Sequence, residues 1–299
     1  MSRATISAAS DLRLALARQE FRTGAMLDDA AALGLPMWET TLSQLLWFTL
    51  ASDPATMRRL NVRVFSQVEE GGNGADWLWS FTSTTSSMVM PLLVQAKRLR
   101  DGGYTINQPA RSGTQAQLLS SYARRQGIPA AYAFYNPQTV ATRVSQRCSW
   151  ESRLCPLAGI TIADAHRVAA IACGTSRQSL DPNEPYFLPS GLTIADTAWP
   201  LSCAICCGVN HTWPPGDFPV AVGAALRASG VYGTLQVDQE SSFVSGLREA
   251  ATDLRVSAYA DGGDRWWVGE GDARQGAAAA FLAEHGISGL VSVEVEARN

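Results

Sequence analysis

The chain has 299 residues, 46% hydrophobic and 17% charged, which is apolar material enough for one large core or two modest ones. A net charge of -3 and a pI near 5.7 exclude a global basic footprint for nucleic acid, so any such contact has to be local. The opening residues, MSRATISAASDLRLALARQEF, lack the apolar run of a secretory signal, and no later run reaches the roughly 18 apolar residues of a membrane span. A cytoplasmic protein without membrane contact is expected.

Residues 9–23 and 39–53 have helical spacing, the second placing Leu42, Leu45, Leu46 and Thr49 on one face, with Gly34 and Pro36 separating the two. Val62, Val64 and Phe65 set among polar residues predict a half-buried strand over 61–69, and GGNG at 71–74 ends it. ADWLWSF at 75–81 and MVMPLLVQAK at 88–97 flank the polar TSTTSS at 82–87, which predicts a hairpin, with Pro91 marking an edge or bulge. Thr114 to Gln126 returns to helical spacing and stops at Gly127, and IPAAYAFYN at 128–136 reads as a further strand. The order from 39 to 136 is helix, strand, strand, strand, helix, strand.

Beyond 137 the pattern predicts a helix at 161–173, a long loop at 174–200 and a buried apolar segment, PLSCAICC, at 200–207. Helices at 217–229, 241–252 and 272–285 and a last strand at 287–295 follow. No repeat or low-complexity linker divides the chain. Three parts are expected: an N-terminal helical segment (1–38), a core (39–136) and a C-terminal extension (137–299) packed on that core.

Of the 24 basic residues, 23 are arginine, and the sole lysine is Lys97. An ammonium is a compact charge whose pKa shifts with burial, which a planar guanidinium cannot imitate. Strand parity puts Gln95 and Lys97 on one face and Val94 and Ala96 on the other. A lysine beside a glutamine at the end of an apolar strand is costly to bury without partners. Asp76 begins the preceding strand, and a hairpin closing near 84 sets it opposite residues 92–97. Glu69 or Glu70 can add a second carboxylate, and Glu39 a third from the helix. Oxygen ligands beside a cation are what metal-dependent phosphodiester hydrolysis requires. Each carboxylate also has a structural reading: Asp76 as a cap after the glycines, Glu39 as a charge complementing its helix dipole.

The order of elements, with D-W-L-W on one strand and Q-A-K on the next, resembles the core of the PD-(D/E)xK nuclease superfamily, which includes restriction endonucleases. The runs E-E-G-G-N-G-A-D-W-L-W at 69–79, Q-A-K-R-L at 95–99 and P-A-A-Y-A-F-Y-N at 129–136, with PLSCAICC beyond them, are similar to an uncharacterised bacterial family of that superfamily. The resemblance covers roughly residues 39–136. It implies an α/β fold: a restriction-endonuclease-like αβββαβ core with a mixed central sheet flanked by helices, plus a helix-rich C-terminal extension. It also implies a Mg²⁺- or Mn²⁺-dependent endonuclease acting on DNA and a role in bacterial defence; a homodimer is a separate expectation that the resemblance does not supply. Carried over by position, the first carboxylate falls on Asp76, the (D/E)xK pair on Gln95 and Lys97, and the helix carboxylate on Glu39. The metal ligands are then Asp76, Gln95 and Glu70, and Lys97 orients the attacking water. Gln95 departs from the acidic pattern and brings no charge to a metal, so a catalytically silent module binding nucleic acid or a protein remains the competing class.

Other features carry less. The six cysteines are expected as thiols. Cys203 and Cys206 form one CxxC beside Cys207, which with Cys148 and Cys155 could support a zinc-based interaction domain. Without a second CxxC, core packing is the better reading. His166, His211 and His285 have no ligand spacing. Arg98, Arg100, Arg124 and Arg125 flank the proposed site and either contact phosphates or form a solvated face. Trp266 and Trp267 read as packing residues before base-stacking ones.

Overall fold

The computed structural model describes residues 3–52, 60–64, 73–83, 86–106, 108–110, 113–141, 159–176, 187–189, 198–206, 218–230, 237–260, 276–285 and 289–295. Helix α1 (Arg3–Ala32) continues well past residue 23, through the alanine-rich segment that follows. Gly34, in the left-handed region at φ 66°, closes it, with the N–H groups of Gly34 and Leu35 returning to the carbonyls of Ala31 and Ala30. Its buried face runs through Leu12, Leu16, Gln19, Thr23, Leu27 and Ala30, the spacing of one helical stripe. Helix α2 (Glu39–Ser52) follows, then strands β1 (Leu60–Val64), β2 (Trp77–Ser83) and β3 (Ser86–Arg98).

Three short strands, β4 (Gly103–Thr105), β5 (Pro109–Ala110) and β6 (Gly113–Thr114), lead into α3 (Gln115–Gln126). The ends of α3 are written in its sequence. Thr114 and Gln117 form a capping box, and Gly127 terminates the helix in the left-handed region. After β7 (Ala130–Tyr135) and α4 (Gln138–Ala141), the predicted helix at 161–173 proves to be a strand and then a helix, β8 (Ile160–Asp164) and α5 (Ala165–Ser176). The alternation in ITI makes the strand. The Asp164 carboxylate makes the boundary by accepting the Arg167 N–H at 2.7 Å, as an N-cap does. Strands β9 (Phe187–Pro189) and β10 (Trp199–Pro200) occupy described parts of the expected loop. The chain continues with α6 (Leu201–Cys206), α7 (Phe218–Ala228), α8 (Ser242–Ala260), α9 (Ala277–His285) and β11 (Gly289–Val295).

Seven strands form one mixed sheet in the order β1-β11-β2-β3-β7-β8-β10. The β11/β2 and β3/β7 pairs are parallel and the other pairs antiparallel. Residues 137–299, expected as an extension packed on the core, contribute three strands to the sheet itself, and β11 lies between β1 and β2. Helices cover both faces, giving an α/β architecture in three layers. One core joins Trp77, Trp79, Phe81, Leu92, Val94 and Ala96 to α1, α2, α6 and α7; the other joins Leu78, Leu93, Tyr132 and Phe134 to α3, α5, α8 and α9. Trp47 of α2 stands edge-on to Trp77 and Trp79, with ring centroids 5.1 and 4.9 Å away. No helix among the described residues is long and apolar enough to cross a membrane.

Candidate functional site

The hairpin of β2 and β3 pairs from Ser83 opposite Ser86 to Trp77 opposite Val94, and the Asp76 N–H adds a last rung to the Val94 carbonyl at 2.8 Å. Past that rung the strands fork. β3 runs on to Arg98, still paired with β7 on one side, from Gln95 opposite Tyr132 to Arg98 opposite Tyr135. On its other side the N–H groups of Ala96 and Arg98 have lost their strand partner and need acceptors. Two carboxylates supply them: Asp76 Oδ2 accepts from Ala96 N at 2.7 Å, and Glu39 Oε1 from Arg98 N at 3.2 Å. The structure thus brings Asp76 and Glu39 to the same fork, where each has a capping role of its own.

Gln95 and Lys97 project from the opposite face of β3 to Val94 and Ala96, at 2% and 4% exposure. The Gln95 Nε2 donates to Asp76 Oδ2 at 2.8 Å, whereas its Oε1 is buried with no partner. The hydroxyl of Tyr132, across the strand pair from Gln95, is also buried and without a partner. Burial, and secondarily the charge of Asp76, push that phenol well above its usual pKa. An unmade hydrogen bond of this kind costs about 1–3 kcal/mol. Two such oxygens beside one carboxylate mark a place where the protein leaves polar groups for something else to satisfy.

Lys97 Nζ donates to Gln108 Oε1 and to Gln115 Oε1, both at 2.8 Å. These two glutamines are linked through their backbones, Gln115 N to Gln108 O at 2.9 Å. The capped first turn of α3 therefore fixes the acceptors that hold the ammonium. Neither residue is legible as a lysine partner in the sequence, because a glutamine in a polar connection carries no pattern.

The turn before Asp76 is anchored from two sides. Fully buried Asn73 accepts the Ala75 N–H on Oδ1 and donates from Nδ2 to the His285 carbonyl, each at 2.8 Å. Gly74 has φ 74°, and a Cβ there would lie 2.6 Å from the Gln115 carbonyl oxygen and 2.9 Å from Leu119 N. The glycine lets the Asp76 turn sit on the helix that holds Lys97. Asn73→Ala orphans the buried Ala75 N–H and the His285 carbonyl, and is expected to cost about 1–3 kcal/mol, read as a lowered midpoint in chemical denaturation.

His285 packs on Phe243 and Phe281 at ring distances of 4.8 and 4.5 Å, and burial lowers its pKa from 6.5, against the smaller pull of Glu284. With its folded value below its unfolded one, the unfolded chain takes up the proton first. This contribution to stability is therefore complete above pH 6.5 and lost as pH falls from there through the folded value. In His285→Gln, that part of the pH dependence of the denaturation midpoint is expected to disappear.

Glu69 and Glu70 lie outside the described residues, as do Cys148, Cys155, Cys207, His211, Trp266 and Trp267. Among the described residues no group of three or more His, Cys, Asp or Glu is placed to hold a metal. Asp76 and Gln95 nevertheless offer hard oxygens, the donor class of Mg²⁺ and Mn²⁺, with the orphaned Gln95 Oε1 as the observation that suits such an ion. Cys203 is a buried thiol packed in α6. Arg124 and Arg125 belong to the last turn of α3, where they complement its dipole, and Arg125 lies over the Tyr122 ring.

Fold and site together define a three-layer mixed α/β protein with a buried polar centre where two central strands part. The chain belongs to DUF6615, a family of unknown function, whose profile matches residues 12–278 and so takes in Asn73, Asp76, Gln95, Lys97, Gln108 and Gln115. No curated protein and no solved structure matches it.

Proposed function

We propose that the protein is a metal-dependent nuclease of restriction-endonuclease-like fold that hydrolyses phosphodiester bonds at the β2/β3 fork, with DNA as the leading substrate. The observation that supports the reading is the Asp76–Gln95 hydrogen bond at the fork with Gln95 Oε1 lacking a partner, and the chain's one lysine, Lys97, buried two residues further along the same face of β3. With the short β4, β5 and β6 set aside, the chain order α2, β1, β2, β3, α3, β7 is that expected of the αβββαβ core, although β11 stands between β1 and β2 in the sheet.

In this reading Asp76 and the Gln95 carbonyl hold a Mg²⁺ or Mn²⁺ ion, with Glu70 as a further ligand. When bound, the ion supplies positive charge against the phosphate. Lys97, held in place by Gln108 and Gln115, orients the attacking water and stabilises charge developing on the phosphate oxygens. Glu39 holds the end of β3 through Arg98 N and thereby keeps Lys97 in position. A silent nucleic-acid-binding module is the second reading. It is favoured by the glutamine at 95, which leaves Asp76 as the one carboxylate bonded to this cluster among the described residues.

Incubation with plasmid, linear duplex, single-stranded DNA and RNA in Mg²⁺, Mn²⁺ or EDTA separates the two. Cleavage that needs the metal supports the enzyme. Binding without cleavage under every condition supports the silent module.

A further inference from the structure

At the same end of β3, on the face covered by α2, lies a second group of residues that the proposed chemistry does not use. Arg98 and Arg100 are both half-buried, and the Nε of each is enclosed with no hydrogen-bond acceptor. Glu39, which follows Trp38 in the chain, spends an oxygen on the Arg98 backbone N–H. The Arg98 guanidinium is held below its ordinary pKa by burial and then by the charge of Arg100, while Glu39 and Asp101 act in the opposite direction. Two cations that repel each other in a partly dry corner ask for an anion. Beside them the Arg100 guanidinium lies over the Trp38 ring, 4.9 Å from its centroid, and yet Trp38 is 54% exposed. An indole with one face covered by arginine and this much exposure presents its other face to solvent.

We infer that Arg98, Arg100 and Trp38 form a clamp for an unpaired nucleotide of a single-stranded nucleic acid, the arginines taking its phosphate and the indole stacking on its base. The ligand class rests on the nuclease reading, while the binding itself does not require catalysis. Distance supports the assignment. Arg98 is two residues beyond Ala96, whose N–H is bonded to Asp76, so the clamp begins roughly 7 Å along the strand from that carboxylate. By strand parity Arg98 shares the α2-covered face with Ala96 rather than the face of Gln95 and Lys97, so a strand held here would pass the fork at its edge. Stacking also selects between ligands, because a base paired within a duplex has no face to offer Trp38, whereas an unpaired base of any identity does.

The test is equilibrium binding of end-labelled oligothymidylate, oligoadenylate, the corresponding RNAs and a blunt DNA duplex, followed by fluorescence anisotropy in EDTA so that no metal-dependent cleavage intervenes. The wild type is expected to bind single strands more tightly than duplex. Trp38→Ala should weaken single-strand binding on the order of tenfold without changing its salt dependence, and Trp38→Phe should restore most of it. Arg100→Gln should instead reduce the slope of log K against log salt by about 0.7. Trp38 is exposed, so Trp38→Ala should fold, with an unchanged thermal midpoint as the check. Single-strand affinity unaffected by Trp38→Ala, duplex bound as tightly as single strands, or no binding to any of the probes would overturn the clamp. A protein that cleaves but is indifferent to Trp38 defeats the clamp alone, whereas one that binds through Trp38 and never cleaves defeats the nuclease reading alone.

Discussion

Asp76→Asn is expected to lower metal-dependent cleavage by at least about 10²-fold while leaving the protein folded. The side chain has two jobs that this substitution separates. As a cap, Asp76 Oδ2 takes the N–H of Ala96 and the amide of Gln95. An asparagine oxygen can accept both, so the loss is that between charge-assisted and neutral hydrogen bonds, about 1 kcal/mol. As the proposed metal ligand, the carboxylate would bring the charge that bonds directly to Gln95, and asparagine removes it. Asp76→Ala fails on both counts, because it also orphans a buried backbone donor, and its lost activity is accordingly harder to interpret. An Asp76→Asn protein cleaving at the wild-type rate would reduce Asp76 to a cap.

Gly159→Ala is expected to prevent folding or to lower the thermal midpoint by about 10 °C or more, corresponding to more than about 4 kcal/mol. A Cβ at this position would lie 2.0 Å from the Glu20 carbonyl oxygen and 2.5 Å from the Gly24 nitrogen. Both are backbone atoms inside α1, so no side chain can swing aside. The helix would have to lift from the start of β8. That would expose the face carrying Leu16 and Leu27 and strip the buried Glu20 carboxylate from Ser202, where it accepts the N–H at 2.6 Å and the hydroxyl at 3.0 Å. Gly230→Ala is the comparison. Unlike Gly159 it has a positive φ, 69°, but nothing stands within 4 Å, so it carries only the left-handed penalty of about 1–2 kcal/mol. Thermal denaturation of the two variants beside the wild type reads the difference, and equal midpoints would show that α1 accommodates the methyl group.

What the sequence made legible is local. The hairpin register follows from two apolar runs joined by a short polar segment, and it alone puts Asp76 beside Gln95. Strand parity then places Gln95 with Lys97, and Thr114 and Gly127 announce both ends of α3. What remained hidden depends on partners distant in the chain. GLVSVEV reads as a strand, but nothing in its alternation says that it inserts between β1 and β2. Any half-buried strand pairs by backbone groups that all residues share. Asn73 passed as part of a glycine-rich break, since its value lies in reaching His285 across most of the chain. Gln108 and Gln115 were invisible for the same reason, being defined by the ammonium they receive. The strand in ITIAD does not separate by pattern from the helix after it, because a run this short ahead of a helical pattern is told apart only by the cap at Asp164.

Cleavage of an end-labelled single-stranded DNA by the wild type and by Asp76→Asn, at matched concentration in Mg²⁺, Mn²⁺ and EDTA, tests the proposed nuclease centre most directly. A metal-dependent nuclease at the β2/β3 fork requires cleavage by the wild type in a divalent cation, none in EDTA, and at least about 10²-fold less by the variant. Equal cleavage by both proteins, or cleavage that persists in EDTA, would contradict it.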